Sequence, residues 1–251
     1  MEFVGRHALV TGGSRGIGRA IAAALKQAGA TVTILGRDEA ALRAVVAQGD
    51  ADAYDLADVT DAAMVDAAVN NAARRAPIDI VVANAGAAQS APFAQTTTAM
   101  LRGMLDVNLM GVIHIAQAVA PGMIERGHGR IIAVASTAGL KGYPYVTAYC
   151  AAKHAVVGYV RALAAETARS GLTVNAVCPG FTETDMVEES ITTIMQKTGR
   201  PREAALASLT KHNPQGRLVQ PDEVANAVLW LAGRGASAIT GQAIAVAGGE
   251  V

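Results

Sequence analysis

His7-Ala8-Leu9-Val10-Thr11-Gly12-Gly13-Ser14-Arg15-Gly16-Ile17-Gly18 is the stretch that decides the fold of this chain. A short strand-like run, His7–Thr11, ends in a cluster of glycines, and a helix-like pattern, Gly16–Ala28, begins inside that cluster. Glycine lets a backbone turn tightly and approach a ligand closely. The first turn of the helix then presents unpaired N–H groups and a positive dipole end to an anion such as a pyrophosphate. Glycine clusters also make ordinary turns, so the meaning of this one depends on the rest of the chain.

Beyond the first helix, strands and helices alternate. Strand-like runs recur at Thr31–Leu35, Ala53–Ala57, Ile78–Ala83, Arg130–Ala135, Leu172–Val177 and Ala243–Val246. Between them lie helix-like stretches at Glu39–Gln48, Asp61–Arg74, Thr97–Arg126, Ala148–Ser170 and Pro221–Ala232. Such a rhythm of βαβ units predicts an α/β fold: a Rossmann-type, doubly wound parallel sheet of about seven strands flanked by helices. No repeat, linker or low-complexity tail divides residues 1–251, which read as a single dinucleotide-binding and catalytic domain.

Composition agrees. The chain is 51% hydrophobic but only 4% aromatic, so its core is built from Ala, Val, Leu and Ile, as suits strands covered on both faces. Formal net charge is zero and basic residues are scattered, which gives no electrostatic reason to expect nucleic acid or an anionic membrane as partner. Cys150 and Cys178 lack metal-ligand spacing and form no disulfide framework, and none of the five histidines has ligand-like spacing, so no metal is expected. With neither a leader pattern nor an uninterrupted run of eighteen apolar residues, the expected location is the cytoplasm. Small residues in Leu109-Met110-Gly111-Val112 and Ala162–Ala168 leave broad apolar helix faces, which would suit a homo-oligomer, a tetramer or a dimer; a buried intramolecular face would look the same.

One segment breaks the rhythm. From Asp185 to Gln220 the chain is polar and charged, with weak helical periodicity around Ser190–Lys197 and Glu203–His212. An insertion of this length directly after the sixth strand predicts a substrate lid, though a solvated surface excursion would have the same composition.

The end of the second strand selects the cofactor. An acidic residue there would bind the adenosine ribose 2′-OH of NAD. This chain has Leu35-Gly36-Arg37-Asp38, with glycine in that place and arginine next. A guanidinium pairs bidentately with a 2′-phosphate, and Arg15 offers a second cation, so the reading favours NADP over NAD. Asp38 tempers this, although it also suits an N-cap for the helix starting at Glu39.

The chemistry is written in Tyr149-Cys150-Ala151-Ala152-Lys153, with Ser136 thirteen residues upstream of Tyr149. Positions i and i+4 share a helix face, which sets an ammonium near a phenol. A neighbouring positive charge is expected to lower the phenol pKa from about 10 and make it a usable general acid and base. Cys150 beside it reads as a small apolar packing residue.

Taken together these motifs resemble the short-chain dehydrogenase/reductase family, nearly from end to end. The glycine spacing, Gly-x-x-x-Gly-x-Gly, is that family's rather than the Gly-x-Gly-x-x-Gly of two-domain dehydrogenases. The resemblance implies that Gly12, Gly16 and Gly18 shape the turn around the pyrophosphate, with Ser14 and Ile17 beside it. Asp58-Val59 matches the pair that contacts adenine, with Asp55-Leu56 as a rival. Asn84-Ala85-Gly86 matches the turn closing the fourth strand beside the cofactor, with Ala83 where the family often has a further asparagine. Asn108 matches the catalytic asparagine of the long fourth helix. Pro179-Gly180-Phe181-Thr182-Glu183-Thr184 matches the stretch that holds the nicotinamide carboxamide. Ala247-Gly248-Gly249 stands where many relatives carry an acid or amide before Gly-Gly, a departure at a subunit-facing contact.

The implied reaction is reversible hydride transfer between a nicotinamide and a ketone or secondary alcohol. Tyr149 would be the acid or base, and Lys153 would tune it and hold ribose hydroxyls. Ser136 would stabilise the substrate oxygen, and Asn108 would fix a water in a proton relay. Pro179–Met186, Asn213-Pro214-Gln215-Gly216-Arg217 and Thr240-Gly241-Gln242 resemble β-ketoacyl reductases, hydroxyacyl-CoA dehydrogenases and polyketide ketoreductases. The pocket expected from this resemblance comprises Gln89, Ser136, Thr137, Ala138, Tyr143, Tyr145, Phe181 and Met186, for a small ketone or an acyl thioester. Lys197, Arg200, Arg202 and Lys211 could attract the phosphates of coenzyme A or an acyl carrier, or be balanced by Glu188, Glu189 and Glu203. An NAD-dependent hydroxyacyl-CoA or secondary-alcohol dehydrogenase is the alternative within the class. A regulatory or scaffold protein that binds NADP without turnover is the alternative outside it, and such proteins typically lose the Tyr or Lys retained here.

Overall fold

A computed structural model describes residues 2–251. In chain order the elements are β1 (His7–Thr11), α1 (Gly16–Gln27), β2 (Thr31–Gly36), α2 (Glu39–Ala47), β3 (Ala53–Leu56), α3 (Ala62–Arg75), β4 (Ile78–Ala83) and α4 (Thr98–Leu105). They continue with α5 (Gly111–Glu125), β5 (Gly129–Val134), α6 (Thr147–Thr167), β6 (Leu172–Pro179), α7 (Asp185–Thr198), α8 (Arg202–Thr210), α9 (Pro221–Ala232) and β7 (Ala243–Val246). The seven strands form one sheet in the order β3-β2-β1-β4-β5-β6-β7, every pairing parallel. All seven strands lie where the sequence predicts them, within one or two residues at their ends.

Because parallel strands are covered on both sides, their side chains are apolar in both directions. On one face Leu9, Val81, Ile131 and Val174 pack under α3, α5 and α6, through Val65, Ile115 and Val156 among others. On the other, Val10, Ile34 and Ile80 pack under α1, α2 and α9, through Ile21, Leu42 and Val228. Asp38 caps α2 by accepting from Ala41 N at 3.1 Å, the role its position suggests.

The predicted helix Thr97–Arg126 is interrupted. Asp106–Met110 forms a π turn between α4 and α5, an extra residue that periodicity cannot reveal and that turns Asn108 fully inward. Thr98–Glu125 as a whole is long and apolar enough to cross a bilayer. Here α5 lies against α3 and the sheet, its Val112, Ile115, Ala116, Val119 and Met123 in the core. Residues 185–220 are ordered as the helical hairpin α7–α8, closed by its own small cluster of Val187, Ile191, Ala205 and Leu209 against Phe181. A parallel bridge between Thr182 and Val219 returns the segment to the sheet edge.

Candidate active site

The strand order reverses between β1 and β4, and open α/β sheets bind ligands in the crevice beyond such a switch point. Thr11 stitches the two strand ends together. Its hydroxyl oxygen accepts from Asn84 N at 3.0 Å and Ala85 N at 2.9 Å, while Asn84 Nδ2 donates to Thr11 O at 3.0 Å and Gly12 O at 3.2 Å. The Asn84-Ala85-Gly86 turn thus lies directly on the glycine turn. Gly12 has φ +64°, and a side chain there would begin 3.0 Å from both the Ala85 Cα and the Asn84 amide. At Gly18 a Cβ would collide with the Gly12 carbonyl and the Asn84 amide. Helix α1 starts at Arg15 with no side-chain cap and no acidic residue in its first turn, so its leading N–H groups and dipole remain for an anion. These features fit a dinucleotide. Gly12, Ser14, Arg15, Gly16, Ile17 and Gly18 would hold its pyrophosphate.

Around this turn the structure gathers the other candidates. Asp58 pairs with Arg37 at 3.5 Å beyond the ends of β2 and β3. Hydrogen bonds from Thr60, together with Arg37, hold its carboxyl below the usual carboxylate range despite partial burial. Asp55, the rival, points away: it is 9% exposed and receives Arg75 at 2.6 Å and the Asn71 amide. Val59 faces Gly111 and its carbonyl binds His114 at 2.9 Å, and Asp58 stands beside Arg37, whereas Asp55 is held by α3. Arg37 is 77% exposed, so its pairing with Asp58 is weak and leaves the guanidinium available. Arg15 meets Asp185 at 3.3 Å, and Thr184 lies over Gly16, whose Cβ would stand 3.3 Å from the threonine methyl. Hence Pro179, Gly180, Thr182 and Thr184, leading from β6 into α7, run along the same crevice.

The reacting groups stand across it. Tyr149 and Lys153 share a face of α6, and Lys153 Nζ lies 5.7 Å from the Tyr149 ring centre. Lys153 donates to Val134 O at 2.9 Å and flanks Gly86, where a Cβ would stand 3.6 Å from Nζ. Ser136, just after β5, accepts from Ala138 N at 3.1 Å and lies close enough to the Tyr149 phenol to pull its pKa downward. Met104, Ala148, Ala152 and Ala87 pack around the tyrosine.

One expectation about this group needs correction. Lys153 is not among the groups that shift the Tyr149 phenol. Burial pushes the phenol up to about 12, against the downward pull of Ser136. Burial also drives Lys153 down to about 8, because removing either group from water penalises its charged form. Tyr149 is therefore a firmly neutral phenol, the state needed to give a proton to a carbonyl oxygen. The Asn108 side-chain amide bonds the neighbouring backbone. Nδ2 donates to Ala87 O at 2.9 Å and Met104 O at 3.0 Å, and Oδ1 accepts from Ala87 N at 3.3 Å. It ties the π turn to the Asn84-Ala85-Gly86 turn and so supports Lys153 from below.

The pocket candidates divide by position. Thr137 and Ala138 are buried beside Ser136. Tyr143 stacks edge-on against Phe181 and His212, both at 6.0 Å between ring centres. Tyr145, Met186 and Gln89 are exposed at the rim. Tyr145 is the only non-glycine among the described residues with positive φ, +67°, and its carbonyl accepts from Ala91 N at 2.8 Å. Such strain is tolerated where a loop must aim a side chain. Of the cations on the 185–220 segment, Arg202 is balanced by Glu188 at 2.6 Å. Both cysteines are buried, and burial pushes Cys178 up to about 11, an inert packing thiol. Reading the sequence missed Glu250, whose carboxylate is buried against Lys141 and Tyr143. Nothing in its local pattern marks it.

Comparison with known proteins accords with this geometry. The profile described as "Enoyl-(Acyl carrier protein) reductase" matches residues 12–250. An acetoacetyl-CoA reductase of Shinella zoogloeoides is 37% identical over 98% of this chain and 98% of its own. A D-beta-hydroxybutyrate dehydrogenase of Cupriavidus necator is 36% identical, again with 98% of both chains covered. Among solved structures, a variant of actinorhodin polyketide ketoreductase with NADPH superposes with a TM-score of 0.93 and 38% identity, covering 98% of this chain and 97% of that one.

Proposed function

Because the chain belongs to the short-chain dehydrogenase/reductase family, we propose that it reduces a ketone, of 3-oxoacyl thioester type, at the expense of NADPH. It is an oxidoreductase of the ketoreductase and hydroxyacyl dehydrogenase kind, acting on CH–OH donors or the corresponding ketones. The observation that carries the proposal is the convergence of Ser136, Tyr149 and Lys153 on a crevice built by the Thr11–Gly18 turn.

Bound NADPH supplies the hydride. Every remaining task falls to side chains. Tyr149, neutral and beside Ser136, donates its proton to the carbonyl oxygen as negative charge develops there. The Ser136 hydroxyl stabilises the same oxygen. Lys153 keeps one donor on Val134 O and has two further donors that would hold the ribose hydroxyls. Its retained charge, strongest below pH 8, favours the phenolate left behind.

Preference for NADPH rests on Gly36 and the exposed Arg37, with Arg15 as second cation. A thioester substrate is supported by Lys197, Arg200 and Lys211 on the α7–α8 hairpin, which would act as a lid and attract carrier phosphates. We further propose a cytoplasmic homo-oligomer, a tetramer or dimer, formed through helix faces. The test is a panel of ketones and 3-oxoacyl thioesters assayed with NADPH and NADH in parallel. Oxidation of NADPH by a 3-oxoacyl thioester, favoured over NADH by about tenfold or more, is expected from a charge-paired 2′-phosphate. A strong NADH preference would overturn the reading of Arg37, and inertness toward every ketone would overturn the proposal itself.

A further inference from the structure

The segment after β7 ends in the candidate site. Glu250 has a side chain only 1% exposed, and its partners are supplied from the loop after β5. The Tyr143 phenol donates to Glu250 Oε1 at 2.5 Å, and Lys141 Nζ reaches the same oxygen at 3.1 Å and the Glu250 carbonyl at 3.2 Å. A phenol has one proton, and the carboxylate is the stronger acceptor. The contact of 2.7 Å between Tyr143 and Thr137 is therefore a bond given by the threonine hydroxyl to the phenol oxygen. The second carboxylate oxygen lies against the Pro179-Gly180 turn, 3.1 Å from where a Gly180 Cβ would be. Next to it, Gly248 meets the Asn213 side chain and Gly249 meets Pro214, its Cβ position 3.5 Å from that ring. The carboxylate thus joins the loop after β5 to the turn after β6, and Gly248-Gly249 before it bring the same segment against residues 213–214.

We propose that Glu250 is a positioning residue for the substrate pocket, fixing Tyr143 as an aromatic wall and setting the width of the cleft between Ser136 and the lid. The ring it fixes is the one that meets Phe181 and His212 edge-on, and Lys141 lies 5.1 Å above its centre. With its proton committed to Glu250 and its oxygen to Thr137, the Tyr143 hydroxyl has nothing to offer a substrate. The pocket meets the ligand with a ring, and Glu250 decides where that ring stands. Neutralisation by Lys141 and the hydrogen bond from Tyr143 make burial of the carboxylate tolerable.

This inference rests on the ketoreductase reading for its kinetic arm and is independent of it for its structural arm. Glu250→Ala is expected to raise KM for a short 3-oxoacyl thioester by roughly tenfold with the loss falling on KM rather than kcat, since binding contacts to the wall are what is removed. Glu250→Gln, which keeps an acceptor for the Tyr143 phenol, should restore most of it. Tyr143→Phe, which keeps the ring but cuts the same bond, should reproduce the Glu250→Ala effect and stands in for it if that variant does not fold. Hydrogen exchange is measured on the same proteins without substrate or nucleotide and should accelerate at 141–143 and 213–217 in the variants that break the bond. Unchanged KM in both Glu250→Ala and Tyr143→Phe, or unchanged exchange in these segments, would overturn the proposal. Failure of the wild-type chain to reduce any ketone would remove the functional reading while leaving the exchange result to decide the strut.

Discussion

At the scale of the residue, burial moves both groups that the chemistry requires, Tyr149 upward and Lys153 downward. Lys153 is only 4% exposed, and its displacement has a consequence for stability. In the unfolded chain it titrates near 10.5 and in the folded chain near 8, lowered by burial. Below pH 8 both states are protonated and the folded one bears the cost of a buried charge. Between the two values the unfolded state binds more protons, so stability rises with pH. Above 10.5 both are neutral. Urea unfolding of wild type against Lys153→Met should show wild type gaining roughly 3 kcal/mol relative to the variant from pH 8 to pH 10.5. A flat difference across that window would contradict the burial of this amine. The positions of Tyr149 and Lys153 were legible in the sequence because their spacing places them on one helix face, and Ser136 because it matches the family motif. Their pKa values were not, because burial is a property of everything packed around them.

At the scale of the element, the sequence marks strands and amphipathic helices clearly because each repeats a simple period. It conceals the π turn at Asp106–Met110, where one extra residue leaves the composition unchanged. That turn gives Asn108 its bonds to Ala87 and Met104 and sets the floor beneath Gly86 and Lys153. Asn108→Ala would strand three backbone groups in a buried place. The expected cost is roughly 2–3 kcal/mol in the unfolding free energy, from lost hydrogen bonds and unsatisfied partners. A loss under about 0.5 kcal/mol, the scale of an ordinary surface change, would show that the π turn holds itself without the amide. The α7–α8 hairpin shows the opposite balance. Its weak periodicity suffices to place two helices, while the cluster of Val187, Ile191, Ala205 and Leu209 that orders them needs the fold of the whole segment.

At the scale of the molecule, one parallel sheet brings to a single crevice segments that are far apart in the chain. The Thr11–Gly18 turn and the turn after β4 meet at the switch point, and the ends of β5, β6 and β7 close the other side. The order of strands comes from the βαβ rhythm, and so the cofactor half of the site could be read in advance from its motifs. The substrate half was legible only in part: Tyr143 and Phe181 were named by the resemblance, while Glu250 and His212 join them only through tertiary packing. The central claim is that this arrangement separates nucleotide binding, done by the glycine turn and its neighbours, from proton transfer, done by Tyr149. Single-turnover reduction of a 3-oxoacyl thioester by Tyr149→Phe, with NADPH affinity measured on the same sample, tests it most directly. The account expects NADPH affinity within about twofold of wild type and a reduction rate lower by roughly 10²–10⁴, the range for a lost general acid. A variant that binds NADPH and reduces the ketone at near the wild-type rate would contradict it.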